Sequence, residues 1–168
     1  MGVLRLGLKE LIKKLENKGK IVLKGEVRLT VRDAKTGKII EKECQEVKNL
    51  IVNAGLYQII DLIIGASDAD FTHCGVGSGS NPPAAGDTDL QTPIGDRKAI
   101  TERFRSTNQG TFSTFFGSAD NNGTWNESGL FTALTGGTML CRALLAAAFE
   151  KTTAKTATVD WTISASAG

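Results

Sequence analysis

The chain has 168 residues, a formal net charge of +2, and 19 glycines against only 6% aromatics. That length buries a core as one domain without disulfide staples, and so small a net charge leaves no electrostatic footprint for nucleic acid. Abundant glycine, with serine and threonine crowded into the second half, favours short strands and tight turns over a helical bundle. The charge is uneven: residues 1–48 hold thirteen Lys/Arg against seven Asp/Glu, and the rest hold seven against eleven. Such asymmetry marks either a basic arm facing an acidic surface or a solvated helix followed by a two-faced hairpin.

Leu4, Leu8, Leu11, Ile12 and Leu15 recur at helical spacing between Lys9, Lys13, Lys14 and Glu16, which predicts an amphipathic helix ending at Asn17–Gly19. The interruptions at Arg5, Lys9 and Glu10 speak against a secretory leader, so the chain is expected to stay in the cytosol where it is made. From Ile21 to Val31 the odd positions are apolar, a half-buried strand. Asp33–Gly37 reads as a hairpin turn, and the charged return, Lys38–Val47, as a strand at a sheet edge or with water on both faces. Asn53 is a candidate cap for a helix over about 53–64 whose Leu56, Ile59, Ile60, Ile63 and Ile64 predict a well-covered element closed by Gly65.

Phe71–Gly79 reads as a short strand running into Gly75-Val-Gly-Ser-Gly79. The dinucleotide fingerprint fails because Ser80 stands where its last glycine belongs, and no phosphate-loop lysine follows. Close passage of another backbone explains these glycines better. Asn81–Gly95 is a long loop containing Pro82, Pro83 and Pro93, of the kind used for function or contact. Arg97–Arg105 is expected as a basic strand anchored by Ile100 and Phe104, and Gly110–Ser118 as a core strand. Asn122-Gly123 carries a hairpin signal. Thr124–Ala133 and Leu134–Leu145 supply two more strands, with Gly129, Gly136 and Gly137 as punctuation. Thr158–Ser164 alternates strictly, placing Val159, Trp161 and Ile163 on one face.

Chemistry is thinly represented. His73 is the sole histidine, and on a strand its neighbour Cys74 points the other way, so a Cys-His couple is not expected. Cys44, Cys74 and Cys141 are odd in number and widely spaced, against a disulfide framework or a zinc site. Asp68, Asp70, Asp87 and Asp89 lack calcium-loop spacing. Arg97, Lys98, Arg103 and Arg105 divide between two faces of a strand, against a nucleic-acid stripe. The reading is therefore non-enzymatic, with no cofactor, metal or catalytic residue and no membrane-spanning run.

VKNLIVNAGLYQIIDLI, HCGVGSGSNPPAAGDTDL, WNESGLFTA…GGTMLCRALL and KTATVDWTIS, in that order, resemble a pattern of small virion proteins of tailed bacteriophages. The likeness covers Val47–Ser164, matching its glycines at Gly55, Gly75, Gly77, Gly129 and Gly137 and its charged positions at Glu127 and Arg142. The arm lies outside it. The resemblance implies a virion structural protein assembled in the host cytoplasm, capsid decoration (cement) first and a tail or tail-fibre component second. It also implies pairing of Glu127 with Arg142. Its partners would be the major capsid protein or tail proteins, and it would form a homo-oligomer such as a trimer. A receptor- or carbohydrate-binding module is the other class considered.

The expected fold is mainly β: an antiparallel, jelly-roll-like β-sandwich over 21–168, carrying one buried helix and preceded by an amphipathic arm over 1–20. Contacts are expected from Arg5, Lys9 and Lys13 on the arm and from Pro82, Pro83, Asp87 and Leu90 on the loop. Gly55, Gly75, Gly77, Glu127, Gly129, Arg142 and Trp161 are expected to be structural.

Overall fold

The alternation in the last strand organises the molecule. In a computed structural model, which describes Lys20–Ala167, β10 (Lys155–Ala167) pairs antiparallel with β1 (Ile21–Asp33) over its whole length. This register sets Val27 beside Trp161, Leu29 beside Val159 and Val31 beside Ala157, all turned inward and buried. β2 (Gln45–Lys48), β6 (Glu102–Ser106) and β7 (Gln109–Phe116) complete sheet A in the order β2-β1-β10-β7-β6. Sheet B runs β3-β9-β8-β4-β5, from β3 (Leu50–Ile51), β4 (His73–Gly77), β5 (Lys98–Ala99), β8 (Gly123–Phe131) and β9 (Met139–Lys151). The two antiparallel sheets pack face to face as a β-sandwich.

Between them lies an apolar layer of Val27, Leu29, Val31, Phe116 and Trp161 from sheet A and Cys74, Val76, Trp125, Leu130 and Phe149 from sheet B. Trp125 makes edge-to-face contacts with Phe116 at 4.9 Å and Phe149 at 5.3 Å between ring centroids, the geometry that ring quadrupoles favour. The indole N–H of Trp161 donates to Cys74 Sγ at 3.4 Å. Burial pushes the Cys74 thiol above its ordinary pKa, as expected of a cysteine that serves as a core residue.

Sheet B is also buried on part of its outer side. Glu127, Gly129 and Phe131 alternate with the inward Ser128 and Leu130, and they lie under a second small core of Val52, Leu90, Phe131 and Met139. One open side of the sandwich is stitched by Gln45, whose carboxamide both donates to Ala147 O and accepts from Ala147 N at 2.9 Å, in the manner of a passing strand.

Several elements depart from the sequence reading. The Lys38–Val47 return is not one strand: after an Arg32–Ile39 bridge, a 3-10 turn at Glu41–Glu43 interrupts it and only β2 pairs with β1. Arg97–Arg105 splits into β5 in sheet B and β6 in sheet A, with Ile100 packing on the core at the crossing. Phe104 is 58% exposed and anchors nothing, because β6 is an edge strand whose residues all face water. The Asn122-Gly123 turn is not a hairpin, since it carries the chain from β7 in sheet A to β8 in sheet B.

The helix α1 (Asn53–Ile64) has the expected bounds, and Gly65 ends it with φ 72°. Val52, not Asn53, occupies the N-cap, and no side chain caps the helix. The expected buried helix is exposed instead: only Gly55 and Gln58 are buried, whereas Ile60, Ile63 and Ile64 are 54%, 67% and 69% exposed. The reason is that α1 touches the sandwich along one narrow line. A Cβ on Gly55 would collide with the Leu140 backbone, so the helix seats directly on β9 at that residue while its apolar flank turns away.

Candidate functional site

The site is the long loop between β4 and β5, and it begins with the strand on which it lies. β4, β8 and β9 place Gly75 opposite Gly129, and Gly129 opposite Arg142. Two glycines in a row across the sheet leave a floor without side chains. Leu90 fills it: a Cβ at Gly75 would lie 3.1 Å from Leu90 Cδ1, and one at Gly129 would lie 3.1 Å from Leu90 Cδ2. A Cβ at Gly77 would approach Thr92 O to 2.6 Å, so backbone passes over backbone there. Ser78 N donates to Thr92 O at 2.8 Å and Ile94 N to Val76 O at 2.9 Å, which seals the return limb of the loop to β4.

A buried ion pair locks the loop. Glu127 Oε2 accepts from Arg142 Nε at 2.6 Å, and both side chains are fully shielded from solvent. The remaining capacity of the carboxylate is filled by loop amides: Gly79 N and Thr92 N donate to Oε1 at 3.1 and 2.9 Å, and Gln91 N to Oε2 at 3.2 Å. Arg142 uses its other nitrogens on the loop, donating to Asp87 Oδ2 at 2.9 Å and Asn81 O at 3.0 Å. A charge pair removed from water is tolerable only when such extra hydrogen bonds satisfy it, and here the loop backbone supplies them.

Arg97 secures the far end. Its guanidinium lies 3.5 Å above the Phe131 ring and donates to Ala133 O at 3.0 Å, Gly136 O at 2.5 Å and Asp89 Oδ1 at 3.0 Å. Asn121 Nδ2 reaches Ile94 O and Asp96 O, tying the β7–β8 corner to the same limb. Asn53 N donates to Ala85 O at 2.8 Å, so the loop tip also meets the start of α1. Much of the loop's outer surface is open to solvent, Asn81, Asp89 and Gln91–Pro93 included, and within it Pro82, Ala84, Ala85, Gly86 and Thr88 form a crest.

The expected contact residues therefore separate. Pro82 is exposed on the crest and Pro83 is half-buried beside it. Asp87 is half-buried and engaged internally, accepting from Arg142 and from Ala84 N at 2.9 Å. Leu90 is 6% exposed and belongs to the core, so it is withdrawn from any contact surface; the glycine floor beneath it is why. Arg5, Lys9 and Lys13 lie outside the described residues. Glu127 and Arg142 pair, and Trp161 is wholly buried. Asn81, Gln91 and Arg97 are lock residues that the sequence reading missed as such. A salt link between residues eight apart in an irregular loop has no periodicity to betray it.

The sequence matches no protein-family model and no curated protein.

The remaining chemistry-bearing groups are dispersed. The basic residues divide among separate tasks: Lys98 pairs with Asp120 at 3.0 Å, Arg103 pairs with Asp70, and Arg97 serves the loop. His73 bonds Thr72 Oγ1 at 2.8 Å, and burial, then Arg97, holds it below the ordinary histidine pKa. Among the described residues no group of three His, Cys, Asp or Glu converges as a metal site, and no helix is long and apolar enough to cross a membrane.

Proposed function

We propose that the chain is a structural protein of a tailed-phage virion, acting as a capsid decoration protein that stabilises the shell through symmetric subunit contacts. The observation that carries the reading is the crest at 82–88, held from below by the Glu127–Arg142 lock. Loops fixed by a buried ionic network lose little conformational freedom on binding, which suits a contact repeated at every position of a lattice. The resemblance over Val47–Ser164 supplies the class of particle. A tail or tail-fibre position would use the same crest against a different neighbour.

Purified protein added to capsids lacking it is expected to bind at stoichiometric copy number and to raise the temperature at which the shells open. Pro82→Glu with Ala85→Glu, two substitutions on the exposed crest, should abolish binding while leaving the melting temperature of the free protein unchanged. Labelling confined to the tail would move the assignment from shell to tail. No binding to any virion part would remove it.

A second reading has a specific feature behind it. Phe104 and Phe115, 58% and 47% exposed, lie on the outer face of sheet A together with Thr111, Ser113 and Asp160. Aromatic rings amid hydroxyl and carboxylate groups suit carbohydrate. Hits on a glycan array that vanish in Phe104→Ala would favour that module.

A further inference from the structure

The flank of α1 that faces away from the sheets is continuous with a groove of about 1040 Å³ lined by Ile21, Leu50, Leu56, Ile60 and Ile63. Ile21 is 73% exposed and Ile63 67% exposed, so this is a contiguous apolar surface rather than scattered residues. We propose that the N-terminal segment of the same chain, Met1–Lys18, covers this groove with its leucine stripe.

Three observations point to that occupant. The described chain starts at Lys20, and the next residue, Ile21, is itself part of the groove wall, so the segment ends where the groove begins. Its Leu4, Leu8, Leu11, Ile12 and Leu15 fall within an arc of about 100° on a helix. Leu4–Leu15 also has the twelve-residue length of α1, about 18 Å as helix. Glu16–Lys20 then reaches up to about 17 Å when extended, with Gly19 free to form the turn that brings the segment back. So short a tether gives the segment a local concentration that a separate molecule must compete with. Seated this way, the stripe would complete the covering that α1 lacks, with Arg5 at the stripe's edge and Lys9 and Lys13 beyond it. The inference stands whatever particle the chain belongs to.

Photocrosslinking of the full chain tests it. Ile60→p-benzoylphenylalanine, irradiated in an equal mixture of unlabelled and nitrogen-15-labelled chains, should give cross-links into peptides of Met1–Lys18 with both halves of the same isotope. Mixed-isotope pairs would assign the groove to a second copy and overturn the proposal, as would cross-links elsewhere or none. Hydrogen exchange provides the second measurement. The triple variant Leu8→Glu, Leu11→Glu, Leu15→Glu should speed exchange over Leu56–Ile63 about tenfold or more, whereas Lys9→Glu with Lys13→Glu should not. An α1 indifferent to the triple variant, or equally affected by both, would show that the stripe does not cover it.

Discussion

Glu127 and Arg142 sit diagonally across β8 and β9, Oε2 to Nε at 2.6 Å, with no solvent access to either side chain. Removing one partner leaves a buried charge uncompensated, at a typical cost of about 3–5 kcal/mol. Arg142→Met should therefore unfold at much lower denaturant concentration than wild type. Glu127→Gln keeps an acceptor for the loop amides while removing the charge. Added to Arg142→Met it should recover stability, with a coupling of about 1–3 kcal/mol in a double-mutant cycle. Simple additivity would mean that the pair does not act as a unit.

Lys151 is a second buried cation, 1% exposed, with its ammonium caged by Gly117 O at 2.8 Å, Asn122 Oδ1 at 3.0 Å and the carbonyls of Ser118 and Asp120 at 3.2 Å. Those acceptors close the β7–β8 corner around one charge. Lys151→Met orphans them and should cost about 2 kcal/mol or more. Lys151→Arg should not restore the loss, because a planar guanidinium cannot converge on a rounded cage. Thermal melts of the two variants give the comparison.

The glycine floor predicts a contrast between two alanine substitutions in one segment. Gly77→Ala places a methyl 2.6 Å from both Glu127 Oε1 and Thr92 O, and the latter is backbone that cannot swing aside. It should destabilise by about 1–3 kcal/mol and raise protease sensitivity within residues 79–92. Gly86→Ala meets nothing within 4 Å and should be near neutral in both assays.

Acid should weaken the β7–β8 corner in a defined sense. The Asp120 carboxyl is held below the ordinary aspartate pKa, first by the hydrogen bond from Lys98, then by that from Gly117 N. The folded state thus takes up this proton less readily than the unfolded chain does. Its contribution is complete above the ordinary aspartate value and is lost as pH falls through the lower folded value. Asp120→Asn should accordingly flatten the melting-temperature profile below about pH 4.

Period-two patterning made the sandwich legible. The alternation around Trp161 and the odd-position row of β1 each specify a half-buried strand, and together they describe the centre of sheet A. The glycines near Gly77 were readable as a close backbone passage, because few other demands place alternate glycines in a strand. The sheet crossings were not legible. Nothing local distinguishes an Asn-Gly that folds a hairpin from one that turns a corner between sheets, since the difference lies in which partner each strand finds. The exposed flank of α1 is not legible for a related reason: apolar periodicity says that a face wants cover but not where the cover comes from. Arg97 reads in sequence as one member of a basic cluster, while its partners lie on β8, on the β8–β9 connection and on its own loop.

The thirteen-residue register of β1 with β10 sets Ile21 beside Ala167. The two ends of the fold therefore leave from one point on sheet A, so that the described chain is nearly a closed ring. A peptide bridging those ends, with new termini opened at the Gly86 crest, should yield a circular permutant that folds. A tag joined at Lys20 in a chain trimmed to the described residues, or one joined after Ala167, would mark the same spot on whatever surface the protein occupies.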